Sequence, residues 1–267
     1  MFEHSGGGDP DRLLPLLWRS TSKDDKPALG RKPGLTLEAV VTAALGIADS
    51  NGLDAVSMTR VATSLGVGTM TLYTYVPGKA ELIDLMIDMA YRKRELPLTG
   101  KSRPEHWRAQ LELYADRTRT MFRRHPWLLQ ISPTRPPLGP GVMDTNEYLL
   151  RALSDLGLTP AQTAAAVHAL QVVIDAVTRV EVAGEQAERS TGQSNDAWWQ
   201  ARMPFWQNYF DSERYPAIYE TWNAGGFDAV GDPETGGVYQ FGLSRLLDGI
   251  EAAADENRRA ATNKSVD

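Results

Sequence analysis

The side chains best suited to chemistry lie together in one short run, Gly66 to Lys79, which reads GVGTMTLYTYVPGK. It holds Thr69, Thr71 and Thr74, two tyrosines at 73 and 75, and a single cation, Lys79. Hydroxyls without an adjacent base or metal ligand do not assemble a bond-breaking site. They suit non-covalent recognition instead: threonine methyls meet thymine methyls, and hydroxyls bond phosphate oxygens or base edges. Tyr73 and Tyr75 combine a ring for the sugar backbone with a hydroxyl for a phosphate, and Lys79 is placed for another phosphate. Leu72 and Met70 read as inward-pointing. The competing reading is that a tyrosine packs a small helical core, with Tyr73 the stronger case and Tyr75 the weaker.

The surrounding sequence supplies elements to hold that run. Thr36 is an N-cap with Glu38 in the first turn, and Val40, Ala44, Ile47 and Ala48 repeat at helical spacing until Asn51-Gly52. Ser57 caps a second helix carrying Val61, Ala62 and Leu65, stopped by Gly66. A three-residue connection leads to a third helix over Thr69–Val76, closed by Pro77-Gly78. Two short helices joined by a tight glycine-containing turn make a helix-turn-helix. A fourth helix runs from Lys79 through Leu82, Leu85, Met86 and Met89 to Arg92-Lys93-Arg94, whose cations suit the negative end of its dipole.

The remainder also reads as helical, over 104–125, 142–156, 159–189, 196–210 and 238–256, separated by Pro- and Gly-rich bends. Thr159 caps the longest of these, with Pro160 at its first position. No alternation long enough for a sheet appears. The expected fold is all-α: a flexible arm over 1–35, a helix-turn-helix domain over 36–80, a larger helical domain over 81–256 and a disordered tail over 257–267. Within the arm, Asp11 to Trp18 reads as one apolar turn or short helix broken by Pro15.

Whole-chain composition fits such a protein. The 267 residues are 42% hydrophobic and include no cysteine, which excludes disulfide scaffolds, Cys-based zinc sites and thiol chemistry and suits a reducing cytoplasm. No signal peptide and no membrane span are expected. The net charge of −6 falls in residues 95–267, since residues 1–94 are neutral overall. Any attraction to phosphates therefore depends on local basic clusters, at Arg31-Lys32 and at Arg92–Arg94.

The run Ser57-Met58-Thr59-Arg60-Val61-Ala62, then Leu65-Gly66-Val67, Thr71-Leu72-Tyr73 and Lys79-Ala80-Glu81-Leu82 resembles the tetracycline-repressor (TetR) family of transcriptional regulators, over Leu35 to Met89. Val76 resembles the subgroup closest to the tetracycline repressor itself, and Gly68 is a weaker cap than the family's frequent Ser or Thr. The resemblance implies a homodimer with two recognition helices in successive major grooves of an operator. The residues it implies at DNA are Arg31, Lys32, Ser57, Thr59, Arg60, Gly68, Thr69, Met70, Thr71, Tyr73, Thr74, Tyr75 and Lys79. Arg31 and Lys32 read either as minor-groove contacts or as solvated linker charges.

Arg124-His125-Pro126-Trp127, Thr134–Pro140 and Leu156–Pro160 resemble the same family's effector-binding and dimerising domain. The resemblance implies a pocket for a small organic effector in each subunit, and dimerisation through the helices 159–189 and 238–256. The expected pocket residues are Trp127, Ile131, Arg135, Met143, Glu147, His168, Gln171, Val172, Asp175, Trp199 and Phe205. His168, Gln171 and Asp175 form a polar stripe on an apolar helix, which faces a ligand, a dimer seam or solvent. Asp175 and Arg179 alternatively pair with each other. The aromatic group Trp198, Trp199, Phe205, Trp206 and Tyr209 reads as pocket wall or as ordinary packing. Ile131 occupies the position where the tetracycline repressor has a metal-chelating histidine, so no metal and no cofactor are expected.

An enzyme is disfavoured, because no Walker loop, G-x-S-x-G or H-E-x-x-H is present and the four histidines are scattered. The remaining rival is a helical small-molecule binder without sequence-specific DNA binding.

Overall fold

The computed structural model describes residues 3–4, 6–19, 35–132, 134–227 and 237–264. Its elements are β1 (Glu3–His4), α1 (Pro10–Leu17), α2 (Leu37–Asn51), α3 (Met58–Ser64), α4 (Thr69–Tyr73), α5 (Lys79–Arg92), α6 (Trp107–Arg124), β2 (Ile131–Ser132), α7 (Pro140–Leu153), α8 (Pro160–Thr191), α9 (Asn195–Gln200), α10 (Met203–Asn208), α11 (Pro216–Asn223) and α12 (Gly237–Lys264). Two compact units result, Met1–Asp155 and Leu156–Asp267.

The capping residues act as their chemistry dictates. The Thr36 hydroxyl accepts from the Ala39 amide, and Ser57 accepts from Arg60. Thr159 accepts from Gln162 while the Gln162 side chain accepts from the Thr159 amide, a reciprocal capping box. Gly66 stops α3 at φ +67°, a left-handed conformation that favours glycine.

In the first unit α2 buries Val40, Val41, Ala44, Leu45 and Ala48, α3 buries Met58, Val61 and Ala62, and α4 contributes Leu72. Helix α5 packs against α2, α1 and α7, and α6 packs against α7. The α5–α7 approach is close because α7 begins Gly139-Pro140-Gly141. A Cβ on Gly141 would sit 2.3 Å from the Asp88 carbonyl oxygen.

In the second unit α8 and α12 pair lengthwise. Val167, Leu170, Ile174, Thr178 and Val182 are the buried residues of α8, and Tyr239, Leu243, Leu247, Ile250 and Ala254 those of α12, each set at helical spacing. By length and composition alone α8 is long and apolar enough to cross a bilayer, a test that bundle helices also pass. The packing of α8 on α12 is that of a helix pair in a bundle.

Several expectations are corrected. The short helix expected near Asp11–Trp18 forms but runs through Pro15 with Leu13 and Leu17 buried, and ahead of it β1 pairs in parallel with β2. The third head helix ends at Tyr73 rather than Val76, and the segment expected as one helix over 196–210 is split into α9 and α10. Helix α11 was not expected at all. The last helix continues to Lys264, so the stretch from Asn257 is helical because Asn257 and Arg258 bond back to Gln162, Gly157 and Leu156.

Candidate nucleic-acid interface

Helices α2, α3 and α4 pack together and carry the candidate contact face. Leu72 is 0% exposed and fixes α4 on its neighbours, as does Val76 beyond its end. The rest of α4 faces outward. Met70 is 78% exposed, which corrects its inward assignment: with only five residues, α4 buries one side chain, Leu72, and puts Met70 on the opposite side. Thr71, Tyr73 and Thr74 are exposed, Thr69 is half-buried, and Gly68 starts the helix with no side-chain cap. Thr74 Oγ1 donates to the Thr71 carbonyl, leaving its methyl free to make contacts.

The two tyrosines exchange their expected roles. Tyr73, the stronger candidate for core, is 44% exposed. Tyr75 lies in the turn after α4 and is half-buried, so its ring returns toward α2 and α5. On α3, Ser57, Thr59 and Arg60 are exposed, and the Arg60 guanidinium donates to Asn51 Oδ1 at 2.6 Å. Lys79 is half-buried at the first position of α5. Arg31 and Lys32 lie outside the described residues.

The eleven expected effector contacts are divided between the two units. Trp127 is buried to 1% exposure and donates its Nε1–H to Asp49 Oδ1 at 2.8 Å, which ties the turn after α6 to α2. His125 Nδ1 lies 2.7 Å from the same oxygen. Ile131 is buried in the short β1–β2 ladder and Arg135 is exposed. On α7, Met143 is half-buried, and exposed Glu147 pairs with Arg151 at 2.8 Å. On α8, His168 and Val172 are exposed, Gln171 is half-buried, and Asp175 pairs with Arg179 at 3.1 Å. Trp199 and Phe205 are 46% and 48% exposed.

Sequence reasoning missed the most unusual polar centre of the first unit. Arg94, at the end of α5, is 5% exposed. Its guanidinium donates to the hydroxyls of Thr118 (2.7 Å) and Thr145 and lies 4.4 Å from the Tyr91 ring centroid and 5.3 Å from that of Tyr114. Among the described residues no carboxylate pairs with it. Arg117 donates to the carbonyls of Arg94 and Glu95, and Arg103 lies over the Tyr148 ring. The sequence places Arg94 in the basic cluster Arg92–Arg94, as a helix-end cation or a phosphate-attracting charge, and not in a buried polar centre. No spacing along the chain signals it, because Tyr114, Thr118 and Thr145 reach it from α6 and α7.

A cavity of about 640 Å3 lies between α1, α2 and α5, lined by Leu17, Val41, Tyr75, Leu85, Asp88 and Met89 among others. None of the eleven expected effector contacts lines it. Its rim includes Arg19 and Leu35, which border residues 20–34 of the chain. Burial pushes the Asp88 carboxyl up to about 6, partly offset by the amides of Gly141 and Val142 that donate to it.

Residues 99–254 match the family model for the tetracyclin repressor-like C-terminal domain. The chain belongs to the TetR family. It is 41% identical to the HTH-type transcriptional repressor DrrR1 of Streptomyces coeruleorubidus over 259 residues, covering 96% of this chain and 91% of that protein. Apo ActR from Streptomyces coelicolor superposes with a TM-score of 0.66 at 28% identity, over 85% of this chain and 99% of that one. ActR in complex with actinorhodin gives 0.68 at 26%, over 83% and 97%. As a TetR-family protein, the chain is a ligand-responsive, DNA-binding transcriptional regulator of all-α fold, and the relatives it matches are regulators rather than enzymes.

Proposed function

We propose that this TetR-family protein is a cytoplasmic homodimeric repressor that sits on a near-palindromic operator through α3 and α4 and leaves it when a small organic effector binds. The observation that carries the DNA-contact assignment is the outward face of α4 and its C-cap: Met70, Thr71, Tyr73 and Thr74 stand exposed while Leu72 and Val76 anchor the helix. Two such helices, about one turn of B-form duplex apart, would reach base edges, with Ser57, Thr59, Arg60 and Lys79 at phosphates. The exposed Val172 and Val180 of α8 and the exposed Val238 and Phe241 of α12 support these two helices as the dimer seam.

For the effector, the buried Arg94 is a candidate contact beside those expected from sequence. A guanidinium held by two threonine hydroxyls and two tyrosine rings, with no carboxylate paired to it among the described residues, suits an anionic or strongly accepting oxygen on a planar molecule. Actinorhodin-bound ActR is consistent with an organic effector in this branch of the family. Release follows if effector binds preferentially to an arrangement in which α5 carries the reading heads out of register.

The test is fluorescence anisotropy of the purified chain on duplex from its own upstream region, with and without actinorhodin as a first effector probe. Specific binding that Thr71→Ala with Tyr73→Ala weakens by at least tenfold supports the contact assignment. Specific binding indifferent to both substitutions would overturn it.

A further inference from the structure

One face of α5 carries Glu81, Asp84 and Asp88, at i, i+3 and i+7, all buried. Carboxylates are kept inside only where donors meet them. Among the described residues the donors are backbone amides from outside the helix, and Asp84 Oδ2 meets none. Asp88 Oδ1 accepts from Gly141 at 2.8 Å and Val142 at 3.4 Å, capping α7 from α5. Asp84 Oδ1 accepts from the Gly6 amide at 2.9 Å, and Glu81 Oε1 accepts from Asp9 at 3.1 Å. The same acidic stripe thus grips α7 at one end and the amino-terminal segment at the other.

The amino-terminal segment is held at four further points. Leu13 and Leu17 are 6% and 4% exposed, on a helix that packs against α5. Glu3–His4 pairs with Ile131–Ser132. Trp18 Nε1 donates to the Leu138 carbonyl at 2.9 Å. A Cβ on Gly6, at φ +73°, would press on Arg135 at 3.2 Å, so the backbone passes close over that connection. The segment therefore bridges α5, which begins just after the reading helix, to the connection 131–138 that leads into α7.

We propose that the Glu3–His4 strand and Gly6–Trp18 form an intramolecular strap that fixes α5 against the 131–138 connection and so pre-organises the reading head for its operator. This rests on the DNA-binding reading above. Two heads must be held at a set spacing to meet both half-sites. Releasing α5 adds arrangements that miss that spacing and dilutes the competent one. If each subunit's competent fraction falls to about one third, a dimer's falls to about one ninth, so operator Kd rises roughly tenfold.

Two full-length or near-full-length forms test it: Leu13→Glu with Leu17→Glu, which undocks α1 while keeping the chain, and deletion of residues 2–18. Each is first shown by circular dichroism to melt cooperatively. Anisotropy on upstream-region duplex is expected to show a roughly tenfold rise in operator Kd for both, with Kd for unrelated duplex unchanged. Hydrogen exchange on the wild-type chain is expected to show the Gly6 and Asp9 amides protected, and operator binding to slow them further by the same factor. Folded variants with operator Kd within about twofold of wild type overturn the strap, as do Gly6 and Asp9 amides exchanging like a free peptide. A wild-type chain that binds no operator overturns the DNA-binding reading itself, while the exchange measurement still decides whether the segment is docked.

Discussion

Asp49 is the joint between the reading head and the turn that follows α6, and its removal should be costly in a calculable way. One oxygen, Oδ1, serves both His125 Nδ1 at 2.7 Å and Trp127 Nε1 at 2.8 Å. Trp127 is 1% exposed and His125 4%, so Asp49→Ala leaves two largely buried ring N–H groups without their acceptor. A hydrogen bond to a charged group contributes about 1.5–3 kcal/mol, and a stranded buried donor costs about 1–3 kcal/mol. The Asp49 side chain is 28% exposed, so solvent can enter part of the vacated space. We expect a loss of about 2–4 kcal/mol, or roughly 4–16 °C in Tm for a unit of this size. Asp49→Asn keeps an acceptor at the same place and should lose no more than about half as much. Urea unfolding followed by circular dichroism measures both, and His125→Ala completes a cycle whose coupling should exceed about 0.5 kcal/mol. An alanine variant within about 0.5 kcal/mol of wild type, or an asparagine variant as damaged as the alanine one, would refute the reasoning.

Other outcomes follow from the same geometry. Asp88 titrates near 6 in the folded chain against an ordinary 3.8. The folded state therefore binds that proton more tightly, and the associated stability is present below about pH 4 and lost as pH rises through about 6. Its upper size is about 3 kcal/mol, and Asp88→Asn should remove that component from the pH dependence of the urea midpoint. Gly141→Ala places a methyl 2.3 Å from the Asp88 carbonyl oxygen and 2.9 Å from the Arg92 nitrogen, so it should cost about 3 kcal/mol in urea unfolding. Arg94→Met should leave operator Kd nearly unchanged but weaken release by an anionic effector at least tenfold, read as the effector concentration that half-displaces the duplex.

The parts of the fold that could be read in the sequence are those fixed by local chemistry. Thr36, Ser57 and Thr159 announce helix starts because an N-cap needs only its own helix. Gly66 marks the turn because few other residues take its φ. Orientation on α4 was harder, because five residues do not establish a periodic stripe, and Met70 came out on the wrong side. The docking of the amino-terminal segment was invisible for a different reason: the Gly6 and Asp9 amides that α5 binds are backbone groups, which every sequence has. Trp127 and Arg94 depended on long-range partners, Asp49 in one case and Thr118 and Thr145 in the other. Neither spacing along the chain nor composition encodes such meetings.

The central claim, that the exposed face of α4 reads DNA, is tested most directly by a footprint of the wild-type chain and of Tyr73→Ala on its upstream region. The account predicts two protected half-sites centred about one helical turn apart for wild type. It also predicts their loss at the same protein concentration for the variant. Protection that is sequence-indifferent, or that persists unchanged when Tyr73 is removed, would contradict it.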